Sequence, residues 1–85
     1  MQNAKLVAES RVVVELLVRA LVSDKTAVVV SISNYDTRTV FEVSVGERDR
    51  GKVIGASGRI ARSARILLAA IGNENKANYM LSITG

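Results

Sequence analysis

Gly55 and Gly58 stand three positions apart in Val53-Ile54-Gly55-Ala56-Ser57-Gly58-Arg59-Ile60, a turn with apolar residues before it and an arginine-studded helical pattern after it. Glycine admits φ > 0 and lets backbone N–H groups approach a ligand with no Cβ in the way. Gly58 also opens a segment whose first-turn N–H groups lack intrahelical acceptors. An anion placed there meets donors and the positive end of the helix dipole, and phosphate is the obvious anion. The same pattern suits an αα-hairpin whose turn needs glycine for its backbone alone, so the surrounding charge has to decide.

The chain carries 12 Lys and Arg against 8 Asp and Glu, a net charge of +4. Arg48, Arg50, Lys52, Arg59, Arg62 and Arg65 all fall within residues 48–65 with a single acid, Asp49, and the rest of the chain is slightly acidic. A solvated helix face scatters charge of both signs, whereas one sign gathered beside a phosphate-sized turn points to a polyanionic partner. Cys and His are absent, which removes thiolate nucleophiles, disulfides, the usual zinc ligands and the commonest general base. Glu47 and Asp49 sit among arginines, where a low pKa suits ion pairs and helix capping rather than acid–base work. No enzymatic activity, metal or cofactor is expected. Gly46 to Lys52 does spell G-x-x-x-x-G-K, but Val53 stands where a P-loop needs a hydroxyl for Mg²⁺, and the chain is too short for a nucleotide-binding sheet.

One domain over residues 1–85 must hold these groups in place, since this length supports a modest core and no second one. Apolar residues make up 48% and charged residues 24%, a globular balance. No stretch approaches ~18 uncharged apolar residues and no leader pattern opens the chain, so a cytoplasmic location without membrane contact is expected. Residues 4–22 read as a helix with Arg11, Glu15 and Arg19 as a polar stripe. Its apolar arc is wider than one core-facing stripe needs, which suits deep burial or a partner subunit. Residues 26–33 alternate as a strand and residues 34–37 turn the chain. Residues 38–45 return as a second strand with Phe41, Val43 and Val45 on one face. A turn and short helix over residues 46–54 place Glu47 and Asp49 where they complement its dipole. Ile60, Ala64, Leu67, Leu68 and Ile71 mark a third helix, with Arg59, Arg62 and Arg65 opposite and Gly72 as the C′ residue. Residues 77–84 alternate as a third strand with Tyr79 toward the core. The order α-β-β-α-α-β predicts an α+β domain, a three-stranded sheet with helices packed on one face.

Gly51-Lys52-Val53-Ile54-Gly55-Ala56-Ser57-Gly58-Arg59, set between two short helices in that order, resembles the KH domain in its bacterial, type II arrangement. The resemblance covers nearly the whole chain, whose size is similar to that of the small single-domain bacterial KH proteins. It implies a single-stranded RNA-binding module in which the glycine loop clamps the backbone of about four nucleotides while the bases lie in a groove. RNA chaperoning or post-transcriptional regulation is the implied role. Carried over by position, Gly55, Ala56, Ser57 and Gly58 are the clamp, and Ile54 and Ile60 line the groove. Lys52, Arg59 and Arg62 are candidate phosphate contacts from charge and proximity. The scarcity of aromatics, Tyr35, Phe41 and Tyr79, suits an aliphatic groove better than a stacking platform. Many relatives carry a basic residue between the glycines, where this chain has Ala56 and Ser57. In the wider I-G-x-x-G-x-x-I form the last apolar position falls on Ala61. The implied partners are single-stranded RNA and a second KH chain, as a homodimer or a heterodimer with a larger KH-containing protein. Two other readings stay open: a dimerisation module with little RNA binding of its own, and a helix-turn-helix placing Arg59, Arg62 and Arg65 in the major groove of a duplex.

Overall fold

The computed structural model describes residues 3–84. Helix α1 spans Ala4–Leu21, started by Asn3, whose side chain accepts the Leu6 N–H at 3.0 Å and so satisfies one N–H group that the first turn leaves without a partner. Its polar stripe divides. Glu15 and Arg19 pair at 3.4 Å, while Arg11 reaches out of the helix to donate from Nε to the Val30 carbonyl at 2.8 Å.

Strands β1 (Val29–Tyr35) and β2 (Arg38–Ser44) form an antiparallel hairpin with Val30 opposite Val43 and Ile32 opposite Phe41. The alternation predicts a strand from residue 26, but Asp24 accepts both the N–H and the hydroxyl of Thr26 and winds Lys25–Ala27 into a 3-10 turn. At the other end Asn34 and Tyr35 extend the strand, so the turn contracts to Asp36 and Thr37, with Asp36 at φ 51. Strand β3 (Asn78–Thr84) pairs in parallel with the other edge of β2, giving the order β1-β2-β3 with Phe41 opposite Leu81. A parallel neighbour requires a crossover. Helices α2 (Arg50–Ile54) and α3 (Arg59–Glu74) supply it and carry the glycine loop between them.

The helices cover one face of the sheet, and the core lies between. Val14 and Val18 of α1 and Leu68 of α3 meet Phe41, Val43, Tyr79 and Leu81 of the sheet. The Phe41 and Tyr79 rings stand edge to face with centroids 5.2 Å apart, a favoured aromatic geometry, and burial pushes the Tyr79 phenol pKa up. On the opposite face Val29, Ser31 and Met80 are exposed, and the Ser33 hydroxyl donates across the strands to the Glu42 carboxylate. This is the α-β-β-α-α-β arrangement of a type II KH fold. Among the described residues no helix is long and apolar enough to cross a membrane.

Two details of α3 differ from the periodicity. Leu67, placed by spacing on the buried stripe, is 64% exposed, while Ala61 takes a core position. Helix α3 therefore faces the sheet along Ala61, Leu68 and Gly72. Gly72 is not a C′ residue, because the helix runs on to Glu74 and the left-handed conformation falls on Lys76 at φ 57. Contact is what demands glycine there. A Cβ on Gly72 would lie 2.8 Å from the Ala77 carbonyl oxygen and 3.1 Å from Tyr79 Cγ.

Candidate nucleic-acid interface

Asp49 sets the position of α2. Its buried carboxylate accepts the Ser23 N–H at Oδ1 and the Asp24 N–H at Oδ2, both at 3.0 Å, tying the segment after α1 to the start of α2. These backbone donors, from Asp24 and then Ser23, hold the Asp49 pKa at about 2, below the ordinary 3.8, with help from Lys52. Asp49 lies in the first helical turn as expected, and the structure adds a tertiary role, its side chain making no capping hydrogen bond on its own helix. Lys52 joins the same brace: Nζ donates to Ser23 Oγ at 2.6 Å and lies 3.2 Å from Asp49 Oδ1. The side chain offered by sequence proximity as a phosphate contact thus also braces α2, with about half of its surface still exposed.

Helix α2 stops at Gly55, φ 80 and ψ 170, whose N–H closes back on the Gly51 carbonyl at 2.9 Å. The Gly58 N–H then donates to the Gly55 carbonyl at 3.1 Å, and both Ser57 (φ 55, ψ 25) and Gly58 (φ 73, ψ 18) are left-handed. The two glycines answer different needs. A Cβ on Gly55 would meet Ile60 Cγ1 at 2.8 Å and the Ile60 backbone nitrogen at 3.0 Å, whereas a Cβ on Gly58 would have no atom within 4 Å. Gly55 lets the loop close onto α3, and Gly58 leaves its own surface open. Ala56 and Ser57 project into solvent, and their N–H groups head the turn with no acceptor inside it. The positive end of the α3 dipole lies directly behind them.

Around this loop the structure gathers Ile54, half-buried at the end of α2, Arg59, exposed at the start of α3, and Arg62. Arg62 Nη2 donates to the Ser57 carbonyl at 3.3 Å, so its guanidinium is held against the loop. The Arg59 side chain makes no hydrogen bond or ion pair among the described residues, while its backbone N–H donates to the Ala56 carbonyl. Ile60 packs beneath the loop against Gly55 and lines, with Ala64 and Leu67, the flank of α3 that faces Leu17 of α1. Ala61 is buried in the core. Arg65, part of the basic cluster and of the helix-turn-helix reading but not of the clamp residues, donates from Nε to the Leu81 carbonyl of β3 at 3.3 Å. The spacing of Arg59, Arg62 and Arg65 carried a signal of a shared flank, but the reach to β3 is a tertiary fact. The helix-turn-helix reading fails on α2, whose five residues are too few for a helix crossing a duplex backbone.

A second surface lies between α1 and α3. Val13 and Leu17 of α1 line a shallow apolar cleft with Leu67 of α3. Leu16, at 63% exposure, extends the apolar surface on α1.

The chain matches the family model of the KhpA/KhpB KH domain over residues 11–83. It is 37% identical over 67 residues to the RNA-binding protein KhpA of Listeria monocytogenes, an alignment covering 79% of this chain and 88% of that protein. With the RNA-binding protein KhpA of Aquifex aeolicus the identity is 39% over 71 residues, covering 84% and 90% of the two chains. With that of Borreliella burgdorferi it is 34% over 70 residues, covering 82% and 85%. No solved structure matches the chain. The span matched by the family model runs from α1 into β3 and contains the whole glycine loop.

Proposed function

The chain belongs to the KhpA/KhpB KH-domain family, and from that premise we propose that it binds single-stranded RNA by seating the sugar–phosphate backbone on the 55–58 loop. The observation that carries this reading is the open face at Gly58, where a Cβ would touch nothing, next to the inward-free N–H groups of Ala56 and Ser57 and the Arg62 guanidinium. Phosphates approach the loop without steric guard and meet N–H donors, the helix dipole and the cations of Arg59 and Arg62. Ile54 begins the aliphatic lining for the bases, and a span of about four nucleotides follows from the size of such a module. Ala56 and Ser57 add no charge of their own, so clamping depends on the two arginines more than in a loop carrying its own cation. The relatives are named as RNA-binding proteins, and this chain is no enzyme. We assign it an RNA-chaperone or post-transcriptional role in the cytoplasm.

The test is binding of a labelled single-stranded RNA pool, across a salt series, to the native chain and to the Ala56→Asp, Ser57→Asp double variant. Two carboxylates at the exposed turn repel phosphate without touching the core. Native binding that weakens with salt and is lost in a variant with unchanged circular dichroism supports the clamp. Equal binding by both proteins overturns it.

The α1–α3 cleft favours a homodimer in which this apolar face meets its copy, with a larger KH-containing chain as the alternative occupant. Sedimentation equilibrium of the native chain and of Leu16→Glu decides between them. A native dimer that dissociates in the variant supports the assignment, and a native chain that sediments as a monomer overturns the homodimer.

A further inference from the structure

We propose that Arg11 guards the sheet: its hold on the open edge of β1 keeps that strand from pairing with β1 of a second copy.

The sheet carries its own charges on the strand that has no free edge. Arg38 and Glu42 lie on β2, which is paired on both sides, while β1 and β3, each with one side open, hold no charged residue. From Thr26 to Tyr35 the chain has no charge, proline or glycine, and Val28-Val29-Val30-Ser31-Ile32-Ser33 is a run of high β propensity. Such a segment on an open edge is a template for strand addition.

The backbone geometry identifies the groups on offer. In an antiparallel pair alternate residues turn N–H and C=O toward the partner strand, and those between turn both away. The Val30 carbonyl is reached by a side chain from outside the sheet, so Val30, Ile32 and Asn34 form the outward set of β1. Arg11 projects from α1, the helix packed against β1, and its Nε donates to that carbonyl at 2.8 Å. Glu15, one turn along, pairs with Arg19, and among the described residues no carboxylate lies in ion-pair range of Arg11. A strand from a second copy laid on β1 would need the Val30 carbonyl for its own ladder. It would displace a charge-assisted hydrogen bond and cover a guanidinium that has no counter-ion, which is strongly disfavoured.

The other open edge is met in the same way. Arg65 of α3, the helix packed against β3, donates from Nε to the Leu81 carbonyl at 3.3 Å. Each uncharged edge strand thus receives one arginine from the helix above it, where a strand with a charge of its own would need none.

The experiment follows sedimentation velocity, thioflavin T fluorescence and far-ultraviolet circular dichroism of the native chain, Arg11→Met, Arg19→Met and the Arg11→Met, Ser31→Lys double variant at neutral pH. Methionine keeps an unbranched side chain and good helix propensity but removes the donors. Arg19→Met removes the same charge from the same helix. Ser31 is exposed on the outer face of β1, where lysine places a charge inside the uncharged run. Arg11→Met is expected to keep the native dichroism while forming fast-sedimenting species whose thioflavin T signal exceeds the native one by about tenfold, as strand-paired assemblies do. Arg19→Met and the double variant are expected to keep the native sedimentation profile and a native dye signal. An Arg11→Met chain with the native profile overturns the proposal. Equal assembly by Arg19→Met overturns it by tracing the effect to net charge. Assembly that persists with Ser31→Lys overturns it because the contact does not run through β1. Assembly by an Arg11→Met chain that has lost its native dichroism is aggregation from unfolding, and this too overturns it.

Discussion

Replacing each loop glycine by alanine separates the demands of folding from those of binding. Gly58→Ala places a methyl in open space, so its cost is conformational only: a left-handed L-residue loses about 1–2 kcal/mol. Gly55→Ala asks more. At φ 80 and ψ 170 the backbone lies in a region that is essentially glycine's, worth about 1–3 kcal/mol. The new Cβ would also stand 3.0 Å from the Ile60 backbone nitrogen, which cannot swing aside as a side-chain tip can, and such overpacking adds about 1–3 kcal/mol. Gly55→Ala should therefore cost roughly 2 kcal/mol more than Gly58→Ala. Urea unfolding followed by far-ultraviolet circular dichroism reads this directly. With a slope of about 1 kcal/mol/M for a chain this small, the midpoints should differ by about 2 M. Gly58→Ala, although folded, should bind RNA poorly, because its methyl occupies the surface the backbone approaches. Equal midpoints, or a lower one for Gly58→Ala, would refute the claim that the two glycines are required for different reasons.

The Asp49 carboxyl is held at about 2 against an ordinary 3.8, so its stabilisation is complete above the unfolded value and is lost as pH falls from 3.8 toward 2. Asp49→Asn should be less stable than native at neutral pH, with a flatter urea midpoint between pH 4 and 2; a parallel pH profile in the two proteins would contradict the brace. Gly51→Ala, within α2 and with nothing near its Cβ, should raise stability by up to about 1 kcal/mol through helix propensity, as thermal unfolding would show. Gly72→Ala gains the same propensity but drives a methyl against the Ala77 carbonyl oxygen and the Tyr79 ring, and its melting temperature should fall; a rise would mean the α3–β3 junction yields.

The elements were legible because each carries its own period. Residues 38–45 alternate cleanly and become β2, and the polar stripe of α1 keeps Glu15 and Arg19 as a pair. Boundaries moved where a side chain hydrogen-bonded the local backbone: Asp24 wound the 3-10 turn that delays β1, a competition periodicity does not register. Leu67 misled because α3 touches α1 as well as the sheet, so its apolar arc divides between a buried face and an exposed cleft. At the site, the glycine loop, Arg59 and Arg62 stood out by type and spacing. Lys52 was drawn to Ser23, and Arg65 to Leu81, by contacts 29 and 16 residues away in sequence.

Local chemistry determined what this chain could be before it folded. The lack of Cys and His removes thiolate and imidazole chemistry, while the excess of positive charge gathered in residues 48–65 and the paired glycines opening an arginine-bearing helix favour a polyanion. These are properties of neighbours along the chain, set by φ/ψ freedom, charge and helical period. Tertiary structure decided which of those charges remain free. A cation's availability depends on the acceptors that come within about 3 Å of it, the hydrogen-bonding range, and such acceptors arrive from distant elements: the Ser23 hydroxyl for Lys52, the Leu81 carbonyl for Arg65. The separate reasons for Gly55, Gly58 and Gly72 are likewise invisible in sequence, because a missing Cβ has meaning only beside the atoms it would have met.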